Sequence, residues 1–195
     1  MRIGIYIGSF DPFHNGHIKI IKEILKEDIV DKIFIIPTED YWNKTINLDL
    51  EKRFELIELS LKNKIPKDKY YIDKTLGKYP YTYLLFRQLK KDYPNDELYL
   101  IMGGDNIPKF NKWKHYKELT QYNFIVVNRN TPDLEKQIIR LKPKSYYLLE
   151  VKGISDISST YIRDNIEDYN KIKKMINKKE YEFVYINLKE QAWKN

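Results

Sequence analysis

The sequence predicts an α/β protein in which helices cover a parallel sheet, and three observations predict it. Short apolar, β-branched runs alternate with segments whose apolar residues recur at helical spacing. Gly and Pro punctuate the ends of the apolar runs. The first run passes through a Gly-bearing turn directly into a helix, which is the opening half of a βαβ unit.

Taken in order, Met1 to Ile7 reads as a buried strand and GSFDPFHNGH as the turn, with Ile18, Ile21 and Leu25 marking the helix behind it. Lys32 to Ile36 is a second strand, ended by Pro37. Residues 38–48 are polar with a Tyr-Trp pair and read as a long loop. Leu50, Phe54, Ile57 and Leu61 mark an amphipathic helix that Asn47 or Asp49 can cap. Tyr70 to Ile72 is a short strand, and Tyr81, Leu85 and Leu89 mark a helix ended by Pro94. Further strands are Glu97 to Met102, Phe124 to Val127 and Tyr146 to Leu149. Ser158 opens another helix. Tyr181, Val184, Tyr185 and Leu188 keep helical spacing, although YEFVYI also has strand character. With no internal repeat, low-complexity tract or obvious linker, residues 1–195 read as one domain, in which 167–195 is a C-terminal helical segment.

Composition narrows the function classes. Apolar residues are 42% and charged residues 32% of the chain, which argues against general disorder. Lys and Arg number 35 against 28 Asp and Glu, a net charge of +7. That charge can attract nucleic acid, an anionic membrane or a small phosphorylated substrate, and it does not choose among them. Only six of the basic residues are Arg and Ala occurs once, so part of the charge reflects Lys-rich usage. The Lys-rich tail reads as a solvated helical face. Zero Cys excludes a disulfide framework, a thiolate zinc site and a cysteine nucleophile. No apolar run is long enough to cross a bilayer and no signal peptide is evident, so the expectation is a cytoplasmic protein without a membrane partner.

Three stretches carry chemistry. In the first, Gly8 and Gly16 allow close backbone approach at a strand end and a helix mouth, where anions bind. His14 and His17 lie three apart at that mouth and can face one phosphate. HNGH has no third ligand nearby, so no protein-held metal is expected. In the second, Ser158, Ser159 and Thr160 begin a helix and Arg163 follows one turn later. They fit an ordinary N-cap and an anion site equally well. In the third, Gly103-Gly104-Asp105 ends a strand, which puts a carboxylate where ribose hydroxyls can be met. Trp113 can stack on a planar ring or simply pack half-buried.

GSFDPFHNGH resembles the (H/T)-x-G-H signature of the nucleotidyltransferase superfamily, whose fold is Rossmann-like. ISSTYIR is similar to that superfamily's second phosphate-binding motif. Gly103, Asp105, Trp113 and Leu119 follow the spacing of the nicotinate-nucleotide adenylyltransferases. The resemblance spans roughly residues 1–166. It implies adenylyl transfer from ATP to nicotinate mononucleotide, giving nicotinate adenine dinucleotide and pyrophosphate, with Mg²⁺ travelling on the ATP.

The resemblance also implies roles. His14, His17 and Arg163 would be catalytic. Gly8, Ser9, Phe10, Gly16, Gly103, Asp105, Ser158, Ser159 and Thr160 would bind ATP. Lys44, Thr82, Trp113 and Arg129 would bind the mononucleotide. Arg53 matches an Arg that often starts its helix. The sequence departs from the family at Asp40-Tyr41-Trp42-Asn43-Lys44, where Pro-Pro-His-Lys is usual, at Leu85 in place of a Thr, and in a tail without the usual Pro. Competing expectations are the same reaction on nicotinamide mononucleotide, pantetheine-phosphate adenylyltransferase, a basic nucleic-acid-binding module and a degenerate regulator on the same fold. No aromatic or zinc signature favours nucleic acid. A homo-oligomer stays open.

Overall fold

The computed structural model describes residues 1–39 and 46–192. The elements in chain order are β1 (Arg2–Gly8), α1 (Asn15–Lys26), β2 (Lys32–Pro37), α2 (Leu50–Leu61), β3 (Tyr70–Ile72), α3 (Thr82–Asp92) and β4 (Glu97–Gly103). A 3-10 segment, Gly104–Lys112, leads to α4 (Tyr116–Leu119), β5 (Asn123–Asn128), α5 (Leu134–Leu141) and β6 (Ser145–Glu150). The chain ends in α6 (Ser159–Asp164), α7 (Tyr169–Ile172) and α8 (Lys178–Ala192). The six strands are all parallel, in the order β3-β2-β1-β4-β5-β6. Successive strands step outward one way from β1 to β3, then the other way from β4 to β6. The crevice beyond the C-terminal ends of β1 and β4 is therefore the place where such a sheet takes ligands.

The two faces follow from alternation along each strand. Ile3 and Ile5 of β1 join Phe34, Leu100 and Val126 on one face, covered by Phe86 of α3, Phe110 and Ile138 of α5. Tyr6 joins Ile35, Ile101 and Ile125 on the other, covered by α1, α2, Ile162 of α6 and Val184 of α8. Because both faces are covered, the central strands read as apolar runs rather than strict alternation. No helix among the described residues is long and apolar enough to cross a membrane.

All six strands and the helices α1, α2, α3, α6 and α8 lie where the sequence places them. Asp49, not Asn47, caps α2: its Oδ1 accepts the Lys52 N–H at 2.8 Å. YEFVYI is helical, and Val184 is its fully buried contact. Four of these elements, the 3-10 segment, α4, α5 and α7, are absent from the sequence reading. The 3-10 segment buries Gly104, Ile107 and Phe110, a three-residue spacing that belongs to the tighter helix and not to the 3.6 period. Helix α5 fully buries only Leu134 and Ile138, with Leu141 packed partly against the core and Ile139 exposed, and α7 is a single turn. The long loop after β2 is tied at its start, where Gly77 lies so close to the Pro37 carbonyl that any side chain would collide with it.

Phe86 is fully buried between α3 and the sheet. Phe86→Ala is expected to cost about 3–5 kcal/mol in urea denaturation. Ile139→Ala, on the exposed side of α5, should change stability by no more than about 0.5 kcal/mol.

Candidate active site

The site starts from the turn between β1 and α1. Phe10 takes a left-handed conformation (φ 47°) and the Asp11–Pro12 peptide is cis. Asp11 is 2% exposed, and its carboxylate accepts three N–H groups from across the molecule. These are the Asn47 backbone at 2.8 Å, the Asn47 side chain at 3.0 Å and the Leu48 backbone at 2.9 Å. Arg53, also 2% exposed, donates through Nη1 to the Ser9 and Thr38 carbonyls at 2.7 Å each and through Nε to Leu48 at 3.0 Å. The C-terminal ends of β1 and β2 are thus fixed by one guanidinium and one carboxylate. A buried charge is tolerable here because hydrogen bonds surround it.

His14 is the N-cap of α1 and His17 is its third residue. Their rings stack at 3.7 Å, and Phe13 stacks on His17 from the other side at 4.9 Å. The His14 backbone N–H donates to His17 Nδ1 at 3.2 Å. Nδ1 is therefore unprotonated in the neutral ring, and the proton sits on Nε2. His14 Nδ1 is buried with no hydrogen-bond partner among the described residues. Gly16 makes this packing possible, since a Cβ there would stand 3.0 Å from His14 Cε1 and 3.1 Å from its Nδ1. Burial, followed by the nearby Arg129 charge, pushes His14 down to about 3. Burial, His14 and Arg129 push His17 well below the ordinary histidine value. Both imidazoles are neutral at pH 7.

The hydroxyl-rich second stretch meets this turn directly. Ser159 Oγ donates to the Pro12 carbonyl at 2.9 Å, and Arg163 Nη1 donates to the Asp11 carbonyl. Ser158 Oγ caps α6 by accepting the Tyr161 N–H at 3.1 Å, and Thr160 Oγ1 accepts from Arg163 Nη2 at 3.4 Å. Arg129, just after β5, leaves its buried Nε without a partner among the described residues.

A cavity of about 790 Å³ opens beside the turn. Gly8 and Ser9 form one wall, and Tyr81 and Thr82 at the start of α3 form another. Trp113, flanked in sequence by Lys112 and Lys114, lines it as well, with its ring 4.9 Å from that of Phe110.

The cytidylyltransferase-like family model matches residues 5–165. A Fusobacterium nucleatum protein named "Probable nicotinate-nucleotide adenylyltransferase" is 34% identical, covering 92% of this chain and 94% of the relative. The chain belongs to the nicotinate-nucleotide adenylyltransferases, within the cytidylyltransferase-like family. A Flavobacterium johnsoniae protein of the same name is 29% identical over 94% of this chain and 96% of its own. The solved structure of Plasmodium falciparum nicotinic acid mononucleotide adenylyltransferase complexed with NaAD superimposes with a TM-score of 0.83. It is 25% identical, with 94% of each chain covered.

This adenylyltransferase brings His14, His17, Gly16, Ser159 and Arg163 together, as the two motifs require. Gly8, Ser9, Thr82 and Trp113 line one cavity. Phe10 is instead a buried wall against Tyr6, Phe13 and His17. Arg129, just after β5, lies near enough to the histidine pair for its charge to act on both rings, and it does not line the Trp113 cavity. It lines a smaller cavity of about 310 Å³ with Asn128 and Gly153. Asp105 is exposed, with its carboxylate folded back over Gly103, and is absent from the larger cavity's lining. Lys44 lies outside the described residues. Sequence reasoning missed the tie between Asp11 and Asn47, although an acid directly before the turn proline was a usable signal. It also missed Asn106, Lys112 and Lys114 on the cavity wall, where the Lys residues carry no local signature.

The histidine pair makes folding pH-dependent. In the unfolded chain each imidazole titrates near its ordinary value, so acid protonates that state first. The stability held by the pair is complete above about pH 6.5 and is lost as pH falls toward 3, at up to about 1.4 kcal/mol per pH unit per histidine. Urea denaturation at pH 7, 6 and 5 should show this slope, and His14→Asn should flatten it.

Proposed function

We propose that this chain transfers the adenylyl group of ATP to nicotinate mononucleotide in NAD biosynthesis, releasing pyrophosphate. One observation carries the reading. One cavity is lined both by Trp113 and by Gly8 and Ser9, which lead into the turn that holds the histidine pair. A pyridine ring on Trp113 would thus leave its mononucleotide phosphate directed at the phosphate motif. The names of relatives in the family support the reaction, and the related Plasmodium structures hold NaAD and APC.

The acceptor phosphate attacks the α-phosphorus of ATP. A new P–O bond forms as the α–β bridging P–O bond breaks, and its electrons leave on pyrophosphate. A phosphate monoester is already ionised at pH 7, so the protein supplies no base. Its work is alignment and charge stabilisation. His17 Nε2–H, fixed by the bond at its Nδ1, would donate to the transferring phosphoryl group. His14 and Arg129 would meet the triphosphate from the same end. Arg163 and the backbone around Ser158, Ser159 and Thr160 would hold the leaving pyrophosphate, since the Ser158 and Ser159 hydroxyls already serve the fold. Among the described residues no group of three or more His, Cys, Asp or Glu could hold a metal, and the Asp11 carboxylate is taken up by N–H groups. This donor set fits Mg²⁺ carried by the ATP phosphates, where it would neutralise their charge.

Pyrophosphate release should be measured with ATP, Mg²⁺ and each of nicotinate mononucleotide, nicotinamide mononucleotide and phosphopantetheine. The nicotinate compound is expected to be fastest. Release with phosphopantetheine alone would overturn the reading, as would salt-sensitive oligonucleotide binding without any turnover. His17→Ala should lower kcat about 10²–10³-fold. Trp113→Ala should weaken mononucleotide binding by about 1–3 kcal/mol, with the KM for ATP unchanged.

A further inference from the structure

We propose that Lys114 is a specificity-determining residue that favours an acid over an amide on the pyridine ring. The proposal rests on the function proposed above and concerns the far end of the same cavity. Nicotinate and nicotinamide mononucleotides share ribose and phosphate, and their ring substituents are close in shape. They differ by one negative charge at the ring edge. The wall that carries Trp113 has a lysine on each side of it, and no carboxylate lines the cavity among the described residues. A ring stacked on Trp113 therefore meets positive charge on a wall where no carboxylate stands among the described residues.

Of the two lysines, Lys114 is the one held in place. Its Nζ stands 4.5 Å over the centroid of the Tyr81 ring, a cation–π contact that keeps the ammonium at the cavity wall. Tyr81 is the N-cap residue of α3 and itself lines the cavity. The turn that presents Lys114 is fixed as well. His115 follows in a left-handed conformation (φ 53°), with its ring 4.3 Å from Tyr83 of the same helix. The ammonium can leave the Tyr81 face for a carboxylate at the ring edge, and it gains much less from a neutral amide.

Lys114→Met and Lys114→Arg are compared with the unmodified enzyme for kcat/KM on both mononucleotides. Met is expected to lower the acid-to-amide preference by roughly five- to tenfold, chiefly through KM for the nicotinate compound, since a partly exposed charge pair is worth less than a buried one. Arg, which keeps the charge, should retain most of the preference. An unchanged ratio in Lys114→Met overturns the proposal. So does an equal fall on both substrates, which would mean that Lys114 serves their shared phosphate. Loss of the ratio in both variants would trace the effect to packing on Tyr81 and also overturns it. An unmodified enzyme that prefers the amide ends the proposal but leaves adenylyl transfer standing. An enzyme that uses neither mononucleotide ends both.

Discussion

The site depends on how the Asp11–Pro12 segment is held. Its carboxylate gathers the N–H groups of Asn47 and Leu48, and its two carbonyls accept from Arg163 and from Ser159. Residues about 36 and 150 positions away are thereby closed onto one turn. A carboxylate this deeply buried is costly if any donor is lost, because the charge cannot be rehydrated. The knot thus acts as a single unit, fixing the start of α1, the loop before α2 and the start of α6 together. The histidine pair inherits its position from this knot.

That pair is held uncharged at pH 7 by its surroundings. Stacked rings, an aromatic wall of Phe10 and Phe13, and a nearby guanidinium all oppose protonation. A neutral imidazole can still donate one hydrogen bond, and the contact at His17 Nδ1 sets which nitrogen does so. Donors fixed in a dry pocket before reaction need no reorganisation when charge develops. Arg129 Nε, buried near this pair, has no hydrogen-bond partner among the described residues.

The sheet explains why the two ends of the site differ. At the switch between β1 and β4, one direction leads past Arg129 to α6, with polar backbone and guanidinium groups. The other leads past Gly8 to the start of α3 and the turn at Trp113, with aromatic faces and lysines. A molecule with phosphate at one end and a flat charged ring at the other fits that division. The fold and the chemistry share one cause, since parallel strands place all their C-terminal ends, and hence all these loops, on one edge.

Much of this was legible from the chain alone. The alternation of apolar runs and helical spacing located the six strands and the principal helices, because that periodicity is local. The residue types at the helix mouths pointed to phosphate for the same reason. Partner choice was not legible. Ser159 looked like a phosphate donor and instead holds Pro12. Arg129 looked like a mononucleotide contact and lies by the histidines. Lys114 looked like one more lysine in a Lys-rich chain. In each case the deciding partner is a backbone carbonyl, an aromatic face or the end of a neighbouring strand. Every residue has a carbonyl and every strand has an end, so neither leaves a mark in the sequence. The chain determined which elements form and which chemistry they carry, and only the order of the strands in the sheet decided which side chains meet.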